Sequence, residues 1–224
     1  MPSSPLSAKE PSPLVRGVDV SRLPARVQAR LATAGATAQA NADQVNDVVG
    51  LNKAALSRLF TRAQDSRLPP QRRLEALRAM AGIWMEPIAA HSACRAGCSH
   101  CCHIPVTLST TEAQLIAAET GAVLSGFKGR KRAGGNPEKP GYGNPCPFLS
   151  EGRCSIYAHR PLICRTHLNM DEDPLLCELV EDASVPVPYA NATFIQAAYL
   201  GVSRSQRFGD IREFFGKSLA PRRA

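Results

Sequence analysis

Aromatic residues are scarce in this 224-residue chain, at 5% of the total, with a single Trp. Bases stack on aromatic side chains, and none are interleaved with the basic clusters near 128–132 and 221–223. A formal charge of +8 therefore reads as a solvated basic surface, and nucleic acid is not an expected partner. No apolar run approaches the roughly 20 residues that cross a bilayer, so no membrane partner is expected either. The opening "MPSSPLSAKEPSPLVRG" lacks the apolar centre of a secretory signal, which points to a cytoplasmic protein with reduced thiols. No P-loop, dinucleotide fingerprint, Ser-His-Asp set or internal repeat is readable, which removes the common motif-bearing enzyme classes.

What the chain has in excess is cysteine. Eight are present, four of them in "CRAGCSHCC" at 94–102. Short C-x2-C and C-x3-C steps aim two sulfurs at one ion, as zinc and iron–sulfur sites require. In a reducing compartment such a cluster speaks for metal or redox work rather than structural bridges. Core filling explains a lone Cys177 as well as a ligand role does, but gives no reason for four cysteines within nine residues. The candidate metal ligands are Cys94, Cys98, Cys101, Cys102, Cys146, Cys154 and Cys164. Adjacent side chains such as Cys101 and Cys102 diverge, which suits two metals, or one ligand beside a supporting thiol. His100, His103 and His167 add donors nearby, while His91 and His159 read as surface groups. Arg153, Arg160 and Arg165 flank the later cysteines and would offset thiolate charge.

Around these residues the pattern is mostly α-helical, with a small irregular cysteine-rich metal-binding subdomain and a few short strands. Residues 1–17 read as a flexible tail and 18–90 as a helical N-terminal region. Residues 91–182 form the cysteine-cluster domain, and 183–224 hold C-terminal helices and a basic tail. Val45, Val48, Val49, Asn52, Leu56, Leu59, Phe60 and Ala63 share one helical face. Leu74, Leu77, Ala81, Trp84 and Ile88 share another, entered through Pro69 and Pro70, with Pro87 expected to disturb the last turn. The alanine-rich stretch 32–42 reads as helix. "IPVTL" alternates as a short extended piece, and "STTEAQLIAAETG" is a helix with Ser109 and Glu112 at capping-box spacing and Gly121 as its stop. Residues 125–145 read as a mobile loop, "SEG" as a turn between extended pieces, and further helices are expected near 173–181, near 189–200 and at Ile211, Phe214 and Phe215.

"CRAGCSHCC", the "TEAQLIA" helix and "CPFL…GRCSIYAHRPLICR" together resemble the zinc- or iron-chelating CxxCxxCC family, also called YkgJ-like cysteine cluster proteins. The resemblance covers about residues 91–167. It is most specific at Cys146, Cys154, Tyr157, Arg160, Pro161, Cys164 and Arg165, and the first spacing is one residue longer than the family's name. It implies that the seven candidate cysteines form a metal-chelating centre for zinc or iron. Two alternatives remain open. Cys94, Cys98 and Cys101 have the spacing of radical S-adenosylmethionine enzymes, and Gly134-Gly135-Asn136-Pro137 is similar to their methionine-contacting segment, which would imply an iron–sulfur cluster enzyme, an oxidoreductase or a transferase. The other alternative is a zinc-stapled interaction module, whose protein partner the sequence leaves open.

Overall fold

The computed structural model describes residues 18–45, 52–95, 97–131, 143–181 and 183–216. The expected tail at 1–17, the centre of the glycine-rich loop with Gly134–Pro137, and the basic end at 221–223 lie outside the described residues, as do Val48 and Val49.

Helices dominate. Helix α1 (Ala25–Asp43) contains the alanine-rich stretch, α2 spans Lys53–Gln64 and α3 spans Pro70–Ala90. Of the face expected from Val45 onward, the described part is helical from Lys53, and Gln44 and Val45 turn the chain at the end of α1. Val45 is still buried, against Met85 and Ile88. Pro70 opens α3, where a missing N–H costs nothing. Pro87 does not end that helix, which runs through it to Ala90. Near its end, the loss of one backbone hydrogen bond is offset by packing of Met85 and Ile88.

Two apolar clusters position the cysteines. The first joins α2 and α3 to α6 (Thr193–Val202) through Leu56, Leu74, Leu77, Met80, Ile195 and Val202. Leu162, first residue of the short α5 (Leu162–Thr166), reaches into this cluster, so the helix that bears Cys164 is seated on α3. The second cluster gathers Val106, Leu108, Ile116, Phe148, Ile156, Ile211, Phe214 and Phe215, and Cys146, Cys154 and Cys164 pack against it. Its frame is β1 (Thr107–Ser109) paired antiparallel with β4 (Phe208–Asp210), which sets Leu108 opposite Gly209. Helix α7 (Ile211–Phe215) follows directly and turns its apolar face inward, as its spacing predicts.

Helix α4 (Thr110–Thr120) stops where expected, and its start forms the Ser109 half of the expected capping box. Ser109 Oγ accepts from the Glu112 N–H at 3.2 Å, and Gly121 closes the helix with φ 71°. The "SEG" turn is a two-residue hairpin between β2 (Leu149–Ser150) and β3 (Arg153–Cys154). Glu151 and Gly152 have φ of 50° and 73°, the positive pair that a tight twisted hairpin needs. The expected helix near 173–181 is reduced to one turn at Leu175–Cys177. The start of the expected mobile loop is held: Arg130 bridges Phe208, and Arg207 Nε donates to the Gly129 carbonyl at 2.8 Å. No described helix is long and apolar enough to cross a membrane.

Candidate metal centre

Two regions far apart in sequence, 98–102 and 146–164, deliver thiols to one cavity of about 230 Å³. Cys98, Cys101 and Cys102 come from the early cluster, the latter two on a single turn at His100–His103. Cys146 and Cys154 come from the loop and strand around the β2–β3 hairpin, and Cys164 comes from α5. The Cys146 N–H donates to the Cys102 carbonyl at 2.7 Å, which fastens the second stretch to the first. Val106, Phe148, Ile156 and Ile211 form the apolar wall, while Arg95, Arg153, Arg160 and Tyr157 also line the space. All eight cysteines are free thiols.

The cavity wall changes thiol acidity in both directions. Burial pushes Cys146 up to about 11, raises Cys154, and raises Cys164 well above the usual thiol value. A hydrogen bond shared with Cys102 brings Cys101 down to about 7 and pushes Cys102 up. The Arg160 charge also favours thiolates at Cys101 and Cys154. Its guanidinium lies 4.1 Å from the centre of the Tyr157 ring, and its Nε is buried with no hydrogen-bond partner. An unpaired cationic N–H beside several sulfurs leaves room for an anionic thiolate centre and would be stabilised by one.

The remaining candidates stand elsewhere. Cys94 is off the cavity wall, and so is Cys177. His100 and His103 do not line the cavity, and His103 Nδ1 sits 3.1 Å from the Ser99 carbonyl. His159 pairs with Glu119 at 3.1 Å, and His167 packs on Tyr189 with ring centres 3.9 Å apart. Arg165 turns away from the cavity to the carbonyls of Arg160, at 2.9 Å, and Ala158.

Two residues support the site through contacts that the sequence does not show. Arg212 on α7 donates to the carbonyls of Cys102 at 2.8 Å, Ile104 at 3.2 Å and Asn144 at 2.6 Å. It thereby clamps the chain on both sides of the Cys102–Cys146 junction, and Asp210 holds its guanidinium at 3.0 Å. Asp210 caps α7 and also accepts from the Val106 N–H at 2.8 Å. Glu112 is the other. Its side chain does not complete the expected capping box: the carboxylate is fully buried and accepts from the Leu162 N–H and the Tyr199 hydroxyl, both at 2.7 Å, while the Ser109 N–H donates to that hydroxyl. Arg212→Ala is expected to lower unfolding free energy by about 2–3 kcal/mol and metal affinity by about tenfold, read by denaturant titration and by competition with a chelator.

Soft thiolates suit zinc, iron or an iron–sulfur cluster, and the unpaired Arg160 Nε suits the negative charge of such a centre. The sulfurs ring a space rather than a point: among the described residues no three His, Cys, Asp or Glu side chains stand as a ready ion cage. No curated protein and no solved structure matches the chain. Residues 93–185 match the model of the CxxCxxCC family, described as a "putative zinc- or iron-chelating domain", a span that takes in all eight cysteines and runs past the expected limit near residue 167.

Proposed function

We propose that this protein chelates zinc or iron through Cys98, Cys101, Cys102, Cys146, Cys154 and Cys164, with Cys94 beside them. The observation that carries the reading is the meeting of six thiols from distant stretches on one cavity wall. The family match over residues 93–185 supports metal binding in the same stretch. Residues 91–182 are then the metal-binding region and 18–90 its helical seat, in a cytoplasmic protein whose thiols stay reduced. Six thiols exceed the four that one tetrahedral zinc takes, which favours a centre of more than one metal atom, an iron–sulfur cluster included.

The test compares metal content of the wild type with that of a Cys98→Ser, Cys154→Ser double variant, both purified without oxygen. Elemental analysis should find zinc or iron in the wild type. Absorption and Mössbauer spectra then separate zinc, isolated iron and a cluster. The double variant should lose most of the metal and melt at a lower temperature. Equal metal content in the two proteins contradicts the reading.

A further inference from the structure

The cavity has more lining than a metal centre uses. Val106, Phe148, Ile156 and Ile211 carry no donor atom in their side chains, yet all four are buried against it. This wall is held firmly. The Ile211 N–H donates to the Val106 carbonyl at 2.9 Å, the Val106 N–H to Asp210 at 2.8 Å, and the Ser155 N–H to the Phe148 carbonyl at 2.8 Å. The Phe148 ring packs edge-on against Phe215, with ring centres 4.9 Å apart. The space, about 230 Å³, is larger than the roughly 150 Å³ cavity that encloses a benzene. One or two metal ions, each smaller than the roughly 30 Å³ share of a water, leave most of it open.

Three arginines line the same space. Arg160 is matched to the thiolates, because its Nε is buried beside them without a partner. Arg95 and Arg153 are the surplus. Both are exposed, and neither has an ion-pair partner among the described residues. They mark the mouth, together with the exposed Tyr157 ring on which the Arg160 guanidinium lies. Sites for small molecules join a mostly apolar wall to a few polar groups that fix orientation. The planar fork of donors on arginine matches a carboxylate. A flat basic patch would suit an acidic protein, whereas arginines around a concave apolar space suit a ligand small enough to enter it.

We propose that the cavity binds a small organic carboxylate with an apolar body, the body against Val106, Phe148, Ile156 and Ile211 and the carboxylate paired with Arg95 and Arg153, next to the metal. The proposal rests on the reading of the cavity as a metal centre and names the class of molecule that shares it. Bound metal neutralises much of the thiolate charge, and the two arginines offset the charge of the incoming anion. Without a ligand, the apolar wall and the two unpaired arginines have no common purpose. A centre of sulfur and metal alone needs neither.

The probe is benzoate, with benzamide as its neutral match and acetate as the anion without an apolar body. The full chain is loaded without oxygen with zinc and, separately, with iron(II). Metal per chain is measured by mass spectrometry, and binding of the three probes is followed by calorimetry. Benzoate should bind at about one per chain with Kd below about 1 mM. Benzamide and acetate should each bind at least about tenfold more weakly. The aromatic ring of benzoate displaces the NMR signals of protons near it, so the methyl groups of Val106, Ile156 and Ile211 should shift. An Arg95→Ala, Arg153→Ala variant should bind benzoate about tenfold more weakly while carrying as much metal as wild type. If metal loads and benzoate binds no tighter than benzamide or acetate, the ligand proposal is overturned and the metal centre stands. Methyl signals of the wall that stay in place while benzoate binds also overturn it, because the probe then sits outside the cavity. So does an arginine double variant that loses metal and keeps its benzoate affinity, since the arginines then serve the thiolates alone. Wild-type chain that takes up neither metal overturns the metal centre and the proposal with it.

Discussion

Acidifying the metal-loaded protein from about pH 8 to about pH 6 is expected to release its metal, with affinity falling by at least about a thousandfold per pH unit. The sign follows from where the thiol protons sit. Burial raises Cys146 to about 11, raises Cys154, and raises Cys164 well above the usual thiol value. The metal-free protein therefore keeps these three protons at neutral pH. A metal that takes the three sulfurs must expel them, and each expelled proton changes affinity about tenfold per pH unit. Binding also contributes to folding, so the melting temperature should fall along with occupancy. Competition against a chelator of known affinity, repeated at several pH values and corrected for the chelator's own protons, gives log affinity against pH. A slope of three or more supports ligation by these thiols. A flat line removes them from the ligand set.

Local signals are the part of this structure that sequence carries well. Ser109 and Gly121 bound a helix because each makes its cap within a few residues of itself. Glu151 and Gly152 make a hairpin because the turn needs only their own backbone angles. The helix expected near 173–181 fails for an equally local reason. Asn169, Asp171 and Asp173 accept hydrogen bonds from backbone N–H groups one or two residues on, and so hold the chain in successive turns. That competition was readable in the run "NMDED". The β1–β4 pairing was not, because it joins three-residue strands about 100 positions apart. Candidate thiols could be named from spacing, but their division between a cavity and the surroundings of Asn169 depends on where α5 and α1 dock. Arg212 reads as one more basic residue until the fold brings it to the Cys102 and Asn144 carbonyls.

Glu112→Ala should destabilise the protein by about 3–5 kcal/mol, although the residue touches neither the cavity nor solvent. Its two oxygens accept from the Leu162 N–H and the Tyr199 hydroxyl, and the Ser109 N–H donates to that same hydroxyl at 2.7 Å. Truncation leaves the Leu162 and Tyr199 donors unpaired in the core, at about 1–3 kcal/mol each, and opens a void between α4, α5 and α6. Because Leu162 begins the helix that holds Cys164, metal affinity should drop with stability. Glu112→Gln keeps the volume and an acceptor for Leu162 but turns an amide donor toward Tyr199, so it should cost less. The pair also separates charge from packing. Burial raises the Glu112 carboxyl above its ordinary value, opposed by the Leu162 and Tyr199 hydrogen bonds and the charges of Arg78 and Arg165. The folded state therefore holds this proton more tightly than the unfolded chain. That contribution is complete at low pH and is lost as pH rises through the folded value. The stability gap between wild type and Glu112→Gln, measured by denaturant titration on metal-free protein, should accordingly narrow as pH rises. A gap that stays constant or widens would mean that Glu112 is already ionised throughout and acts as a buried carboxylate held by its donors and the two arginines.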